Sequence, residues 1–223
     1  MLATILRALR TEVGTPLQPL PLPHALSPPP HPPRPLALQV EKLLAERLAR
    51  QHATGRNQAA FLINNYDLIV SLLAERGARG ADSLHFEQLL ASIKATFVEG
   101  QLSVDYGRLI TYIKQTEPML MQGASAADVA RADLGAMEVL LRSFHDTWQA
   151  GIEAINRDVM KSFANLKLGM EILKQVLTQL LLYYTRFQDI VRRAWRRPPA
   201  FTKDIVSTAA ILVEIKKYSR SFD

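Results

Sequence analysis

The chain of 223 residues contains no cysteine. This absence excludes a disulfide framework, a thiol nucleophile and every zinc site that uses cysteine, and it is compatible with a cytosolic protein. Long apolar runs are also missing, because no segment reaches the roughly 18 residues that a membrane-spanning helix needs. The sequence therefore predicts a protein that at most contacts a membrane from one side.

Motifs that carry chemistry are missing as well. The ten glycines form neither a phosphate-binding loop nor a dinucleotide-binding fingerprint. No metal-ligand spacing links the five histidines, which are His24, His31, His52, His85 and His145. We therefore expect no enzyme activity, no cofactor and no metal, although a helical fold with an unfamiliar site stays open as an alternative.

Proline is scarce except near the start of the chain. Ten of the thirteen prolines lie between Pro16 and Pro35. Proline has no backbone donor and a fixed φ, so this tract is predicted to form neither helix nor sheet. The sequence thus divides into a Pro-rich disordered or linker segment, 1–35, and a region predicted to be helical, 36–223.

The second region shows helical periodicity throughout and no strand pattern. Apolar residues recur at intervals of three and four, which is typical of amphipathic helices. Gly55, Gly77, Gly100, Gly107 and Pro118 fall between or beside the successive stripes, and we expect a local helix break at Pro118. The stripes consist of Val40, Leu43, Leu44 and Leu48; Leu62, Tyr66, Ile69 and Leu73; Phe86, Leu90, Ile93 and Phe97; and Tyr106, Leu109, Ile110 and Ile113.

The longest stripe runs from Met137 to Val191 in unbroken steps of three or four, with a mean of 3.6 residues. As one continuous helix it would extend for about 80 Å. Gly151 and Gly169 are the positions at which we expect a kink or break, if there is one. A last helix is predicted to carry Ile205, Ala209, Leu212 and Ile215. The predicted fold is all-α, an elongated bundle or rod of long amphipathic helices.

The basic residues concentrate near the C-terminal end of the chain. Residues 186–223 contain nine basic and four acidic side chains, whereas 61–185 contain eleven and fourteen. The run RRAWRR predicts a partner or membrane surface formed by Arg192, Arg193, Trp195, Arg196 and Arg197. Positive charge at a helix C-terminus is also favourable by itself, so a purely structural cause stays open. Nucleic-acid binding is the weaker alternative, because no recognition motif accompanies the charge.

Two adjacent amides interrupt the apolar segment FLINNYDLIVSLL. At about 100° per residue from Leu62, Asn65 borders the stripe and Asn64 lies near the opposite side of the helix. A buried amide must find a hydrogen-bond partner, so Asn65 is predicted to fix the helix register and Asn64 to lie in solvent or touch a partner.

The same segment carries a family resemblance. FLINNYD, with Phe61, Asn64, Asn65, Tyr66 and Asp67, resembles a segment of the vacuolar protein sorting-associated protein 52 family. DVMKSFAN, 158–165, and the residues up to Phe187 resemble that family's D-V-M-x-S-F-x-N stretch. LVEIKKY, 212–218, resembles its L-V-E-L-K-K end. The resemblance covers about 57–220, in order.

The resemblance implies that the chain corresponds to the C-terminal region of a subunit of a vesicle-tethering complex, the Golgi-associated retrograde protein complex or a related one, with a CATCHR-like fold. It implies a non-enzymatic subunit that takes part in endosome-to-trans-Golgi retrograde transport. The expected partners are other tether subunits, SNAREs and a Golgi Rab GTPase, with no nucleic acid. The expected location is cytoplasmic, peripheral on trans-Golgi and endosome membranes.

Overall fold

The computed structural model describes residues 36–52, 54–78, 80–123, 125, 134–194 and 199–219. The prediction for 1–35 lies outside these residues. Within them the fold is all-α, as predicted, and contains six α-helices and no strand. The helices are α1 Leu36–Lys42, α2 Gly55–Glu75, α3 Ala81–Met121, α4 Leu134–Ser162, α5 Leu166–Ala194 and α6 Thr208–Ser219.

Short helical segments lie between α1 and α2 and before α6. After α1 the chain continues as a π-helical segment, Leu43–Leu48, and a 3₁₀ turn, Ala49–Gln51. Thr54 then caps α2, because its Oγ1 accepts a hydrogen bond of 3.2 Å from the backbone N–H of Asn57. A second 3₁₀ segment, Ala200–Asp204, precedes α6.

The core of the helical unit lies between α3, α4 and α5, with α2 packed on α3. Phe144 of α4 stacks on Tyr184 of α5 with ring centroids 4.0 Å apart, and Tyr106 of α3 lies 5.7 Å from Phe144. α3 has 41 residues and extends for about 60 Å. The predicted bundle of long helices is therefore confirmed.

The helix breaks predicted along α3 are wrong. Gly100, Gly107 and Pro118 all lie inside α3. A glycine costs a helix about 1 kcal/mol, and the buried residues on either side, such as Phe97 and Ile113, offset that cost. Pro118 lies in the last turn, where its missing donor removes a single helical hydrogen bond, so α3 ends only at Met121.

The long apolar stripe from Met137 to Val191 is divided between two helices, α4 and α5. The chain turns at 163–165 and α5 packs back on α4 as a helical hairpin. Asn165 starts α5, since its Oδ1 accepts from the N–H of Leu168 at 3.3 Å. Phe163 is buried at the turn, with its ring 5.2 Å from that of Phe97. The stripe residues stay buried on both helices, apart from half-buried Trp148 and Met170 and exposed Leu166.

The break does not occur at either glycine. Gly151 lies inside α4, where it is buried against Tyr106. A Cβ on Gly151 would lie 2.9 Å from Cζ of Tyr106, so the missing side chain lets the two helices approach closely. Gly169 lies inside the first turns of α5, beside Phe163.

Two predicted helix faces are rotated. On α2 the buried residues are Ala59, Ala60, Ile63 and Tyr66, which centres the face about 80° from the predicted stripe. On α6 the buried residues are Ile211 and Glu214, whereas Ala209 and Leu212 are exposed. α6 also starts later than predicted, at Thr208. The segment before it is held by Gln188 of α5, which donates to the carbonyl of Val206 at 2.8 Å and accepts from Thr208 Oγ1 at 3.0 Å.

Candidate interaction surfaces

Asn64 joins α2 to the end of α4, contrary to its predicted solvent position. Its Nδ2 donates to the carbonyl of Ser162 at 3.0 Å and to that of Ala60 at 2.8 Å. Ser162 is the last residue of α4, where the helix leaves carbonyl groups without an intrahelical donor. Asn64 therefore caps α4 from a neighbouring helix. The rotated face of α2 explains the error, since it brings Asn64 closer to the core.

Among the described residues Asn65 makes only a local side-chain hydrogen bond, so its predicted role as a register device is wrong. Its Nδ2 donates to the carbonyl of Phe61, one turn earlier in the same helix, at 2.7 Å. That carbonyl is also the acceptor position for the backbone N–H of Asn65. The amide adds no connection between helices.

The other residues of the FLINNYD segment differ in exposure. Tyr66 is buried with its ring 5.9 Å from that of Phe86, and burial, together with the charge of Glu41, raises the pKa of Tyr66 to about 12. Phe61 is half-buried, and its ring lies 4.9 Å from that of His52. Asp67 is half-buried at the edge of α2. In this segment Ile63 and Tyr66 are thus buried, and the other five residues are half-buried.

A second polar contact lies beside Asn64. Arg56 Nη1 donates to Gln101 Oε1 of α3 at 3.2 Å and lies 3.6 Å from Asp158 Oδ2 of α4. Gln101 is almost fully buried. Two segments that carry the family resemblance, around Asn64 and around Asp158, therefore meet where α2, α3 and α4 come together. The periodicity of the sequence gives no sign of this contact between residues about a hundred positions apart.

The predicted basic surface is described only in part. Arg192 and Arg193 are exposed on the last turn of α5, and Arg192 Nη1 lies 3.4 Å from Asp189 Oδ1. Trp195, Arg196 and Arg197 lie outside the described residues. Whether the five residues act together as a partner or membrane surface stays a prediction.

A charged cluster that residue spacing does not predict lies between α3 and α5. Arg186 Nε donates to Glu117 Oε1 at 2.6 Å, and Arg186 Nη2 donates to Glu117 Oε2. Tyr183 Oη and Lys114 Nζ both donate to Glu99, each at 2.8 Å. The guanidinium of Arg186 also lies 5.3 Å from the centre of the Tyr183 ring.

These contacts lower the pKa of both carboxyl groups. For Glu117 the main cause is the hydrogen bond from Arg186. For Glu99 burial raises the pKa, but the hydrogen bonds from Lys114 and Tyr183 outweigh that effect. The charges of this cluster are thus used to join two helices.

Three features of the described residues bear on what the chain can bind. No group of three or more His, Asp or Glu side chains in the described ranges is placed to hold a metal ion. No described helix is long and apolar enough to cross a membrane. The recesses described between the helices are open grooves, each lined mainly by residues of two helices, for example one of about 470 Å³ beside Arg56, Asn64 and Asp158.

The comparisons with known proteins agree with the resemblance of the three segments. The chain is 35% identical over 188 residues to vacuolar protein sorting-associated protein 52 A of Arabidopsis thaliana. It is 31% identical, also over 188 residues, to the vacuolar protein sorting-associated protein 52 homologues of Homo sapiens and Rattus norvegicus. The chain is homologous to the vacuolar protein sorting-associated protein 52 family.

This homology covers 84% of the chain but only 26% of each of these three relatives. The chain therefore spans about a quarter of the length of the vacuolar protein sorting-associated protein 52 (Vps52) relatives that it matches. No family model and no solved structure matches the chain.

Proposed function

We propose that the chain is a non-enzymatic subunit of a multisubunit vesicle-tethering complex that acts in endosome-to-trans-Golgi retrograde transport. The observation that carries this proposal is the match over 84% of the chain to Vps52 proteins, which are named for vacuolar protein sorting. Identity of 31–35% extends across plant and animal relatives.

The fold supports a role in assembly. The long helices of α3, α4 and α5 expose extended surfaces, and the polar clusters at Arg56 and at Arg186 connect helices. Such surfaces bind other proteins without transforming a substrate. The proposed partners are the other tether subunits, SNAREs and a Golgi Rab GTPase, and the proposed location is the cytoplasmic face of trans-Golgi and endosome membranes.

The test combines assembly and transport. The tagged chain is expressed in cells from which the endogenous protein has been removed, and co-purifying proteins are identified by mass spectrometry. We expect recovery of the other tether subunits and, in the cells without the protein, loss of retrograde cargo from the trans-Golgi network. Absence of every tether subunit together with normal cargo retrieval would refute the proposal.

The exposed arginines at the end of α5 favour a second candidate, binding to an anionic membrane or nucleic acid. The Arg192→Ala/Arg193→Ala variant is compared with Arg142→Ala/Arg157→Ala, which removes two similarly exposed arginines from α4. Binding to phosphatidylserine vesicles or duplex DNA is measured at increasing salt. The candidate is supported if salt weakens the binding and if only the Arg192→Ala/Arg193→Ala variant binds less than the unmodified protein. Equal binding by the two variants rejects it.

A further inference from the structure

A groove between α5 and α6 combines an apolar floor with a basic rim. Its volume is about 500 Å³, within the usual range of ligand-binding clefts. Leu173 and Leu177 of α5 close the floor and are almost fully buried. The accessible apolar surface comes from half-buried Met170 of α5 and from Ile215 and Tyr218 of α6.

The apolar surface extends beyond the groove along α5. Leu166 is 61% exposed and lies one turn before Met170, on the same side of the helix. From Leu166 to Leu177 the band covers about 16 Å, or three helical turns. This length matches the apolar face of a short helix with contacts at i, i+3 or i+4, and i+7.

The charge of the rim defines the complementary partner. Lys167 and Lys174 are exposed at the rim, and neither forms an ion pair with a residue in the described ranges. The acidic residue at the same rim, Glu171, is already bound: its Oε1 lies 3.0 Å from Lys94 Nζ and accepts from Gln175 at 3.2 Å. The α5 side of the rim therefore has an excess of positive charge. On the α6 side, Tyr218 lies near the carboxylates of Glu214, which pairs with Lys217 at 2.6 Å, and Glu153.

The shape of the groove favours a helix over a bilayer. The apolar atoms of Met170, Ile215 and Tyr218 lie in a recess between two helices, where the side chains of a third helix reach them more fully than a flat membrane surface does. Lys167 and Lys174 are seven residues apart, which places them about 10 Å apart along α5. Carboxylates two turns apart on a partner helix match this spacing.

We propose that the groove between α5 and α6 binds an acidic amphipathic helix of a protein partner. The apolar side chains of that helix contact Met170, Ile215 and Tyr218, and its flanking carboxylates pair with Lys167 and Lys174. Because the occupant is a protein, the inference rests on the proposed role of the chain in assembly. It assigns that role a specific surface and a partner chemistry.

The test uses the full chain and a synthetic probe. The probe is a fluorescein-labelled 15-residue helix with leucines at i, i+3, i+4 and i+7 and glutamates on either side. Fluorescence anisotropy is expected to show saturable binding that weakens at least tenfold in the Lys167→Glu/Lys174→Glu variant. Binding to the control variant Arg47→Glu/Lys203→Glu, which makes the same charge change at two exposed positions outside the groove, is expected to stay within twofold.

Three results would overturn the proposal. The first is no saturable binding up to about 100 μM, the weak end of the range for transient contacts. The second is equal binding of a probe in which lysines replace the glutamates. The third is sedimentation with phosphatidylserine vesicles that requires Lys167 and Lys174 while the acidic probe does not bind.

The tether role and the groove can fail separately. If the Lys167→Glu/Lys174→Glu variant still recovers the other tether subunits and the acidic probe does not bind to the unmodified chain, the groove proposal fails and the tether role stands. If no tether subunit is recovered but the probe binds with the expected charge dependence, the tether role fails and the groove stands.

Discussion

The contact between Asn64 and the end of α4 predicts opposite effects for two adjacent asparagines. Asn64→Ala removes the donor to Ser162, and the terminal carbonyl of α4 loses a partner at a half-buried position. An unsatisfied buried acceptor costs about 1–3 kcal/mol, and partial burial favours a cost of about 1.5 kcal/mol, in the lower half of that range. Alanine is the better helix former by about 0.6 kcal/mol, so we expect a net loss of about 1 kcal/mol in the free energy of unfolding.

Asn65→Ala is the matched control, with the same change in the same helix. Asn65 donates only to Phe61, whose carbonyl keeps its helical partner when the side chain is removed. We therefore expect Asn65→Ala to be neutral or to stabilise the protein by a few tenths of a kcal/mol. A third variant, Asn64→Asp, keeps the shape but offers the Ser162 carbonyl an acceptor, and it should cost more than Asn64→Ala.

Chemical denaturation followed by circular dichroism at 222 nm measures the three free energies. The two alanine variants should differ by about 1–1.5 kcal/mol, or roughly 2–5 °C in Tm for a protein of this size. If Asn65→Ala destabilises the protein as much as Asn64→Ala, or if Asn64→Asp is harmless, the asparagine does not cap α4 and the reasoning is wrong.

Three further predictions concern packing and charge. Leu180→Ala, at a fully buried position, should lower the free energy of unfolding by about 2–5 kcal/mol, and an unchanged Tm contradicts the burial. Gly151→Ala should destabilise by about 1–2 kcal/mol despite its better helix propensity, because of overpacking against Tyr106; a gain in stability measured by denaturation contradicts the close approach. Glu117→Gln should cost about 0.5–1 kcal/mol at pH 7. Because Arg186 lowers the pKa of Glu117, this contribution is complete above the carboxyl's ordinary pKa and disappears as pH falls through the lowered pKa. A difference from the unmodified protein that stays constant from pH 7 to pH 3 refutes the pairing.

The sequence predicts the apolar stripes better than the ends of the helices. The buried stripe from Met137 to Val191 is confirmed almost throughout, since burial of a helix face directly produces a 3.6-residue period. The turn in the middle is invisible in that period, because both helices of the hairpin face the same core. Its local sign is Asn165, a good N-cap residue without a neighbouring glycine or proline.

The errors along α3 and α2 have a different cause. Gly100 and Pro118 have strong local preferences against helix. Packing on both sides keeps Gly100 inside α3, whereas Pro118 is tolerated because it lies in the last turn. On α2, small alanines rather than leucines face α3, so size and hydrophobicity indicate the wrong face. The contacts of Asn64 and Arg56 depend on residues far away in the chain, and no local pattern contains them.

The tight turn at 163–165 also bears on self-association. Replacing the N-cap residue Asn165 with a strong helix former would favour an unbroken helix from α4 into α5, about 90 Å long. That helix could no longer cover its own apolar stripe, and the stripe of a second molecule would be the nearest substitute. The expected product of that change is a domain-swapped dimer, because the turn at 163–165 is what lets α5 pack on α4 of the same molecule.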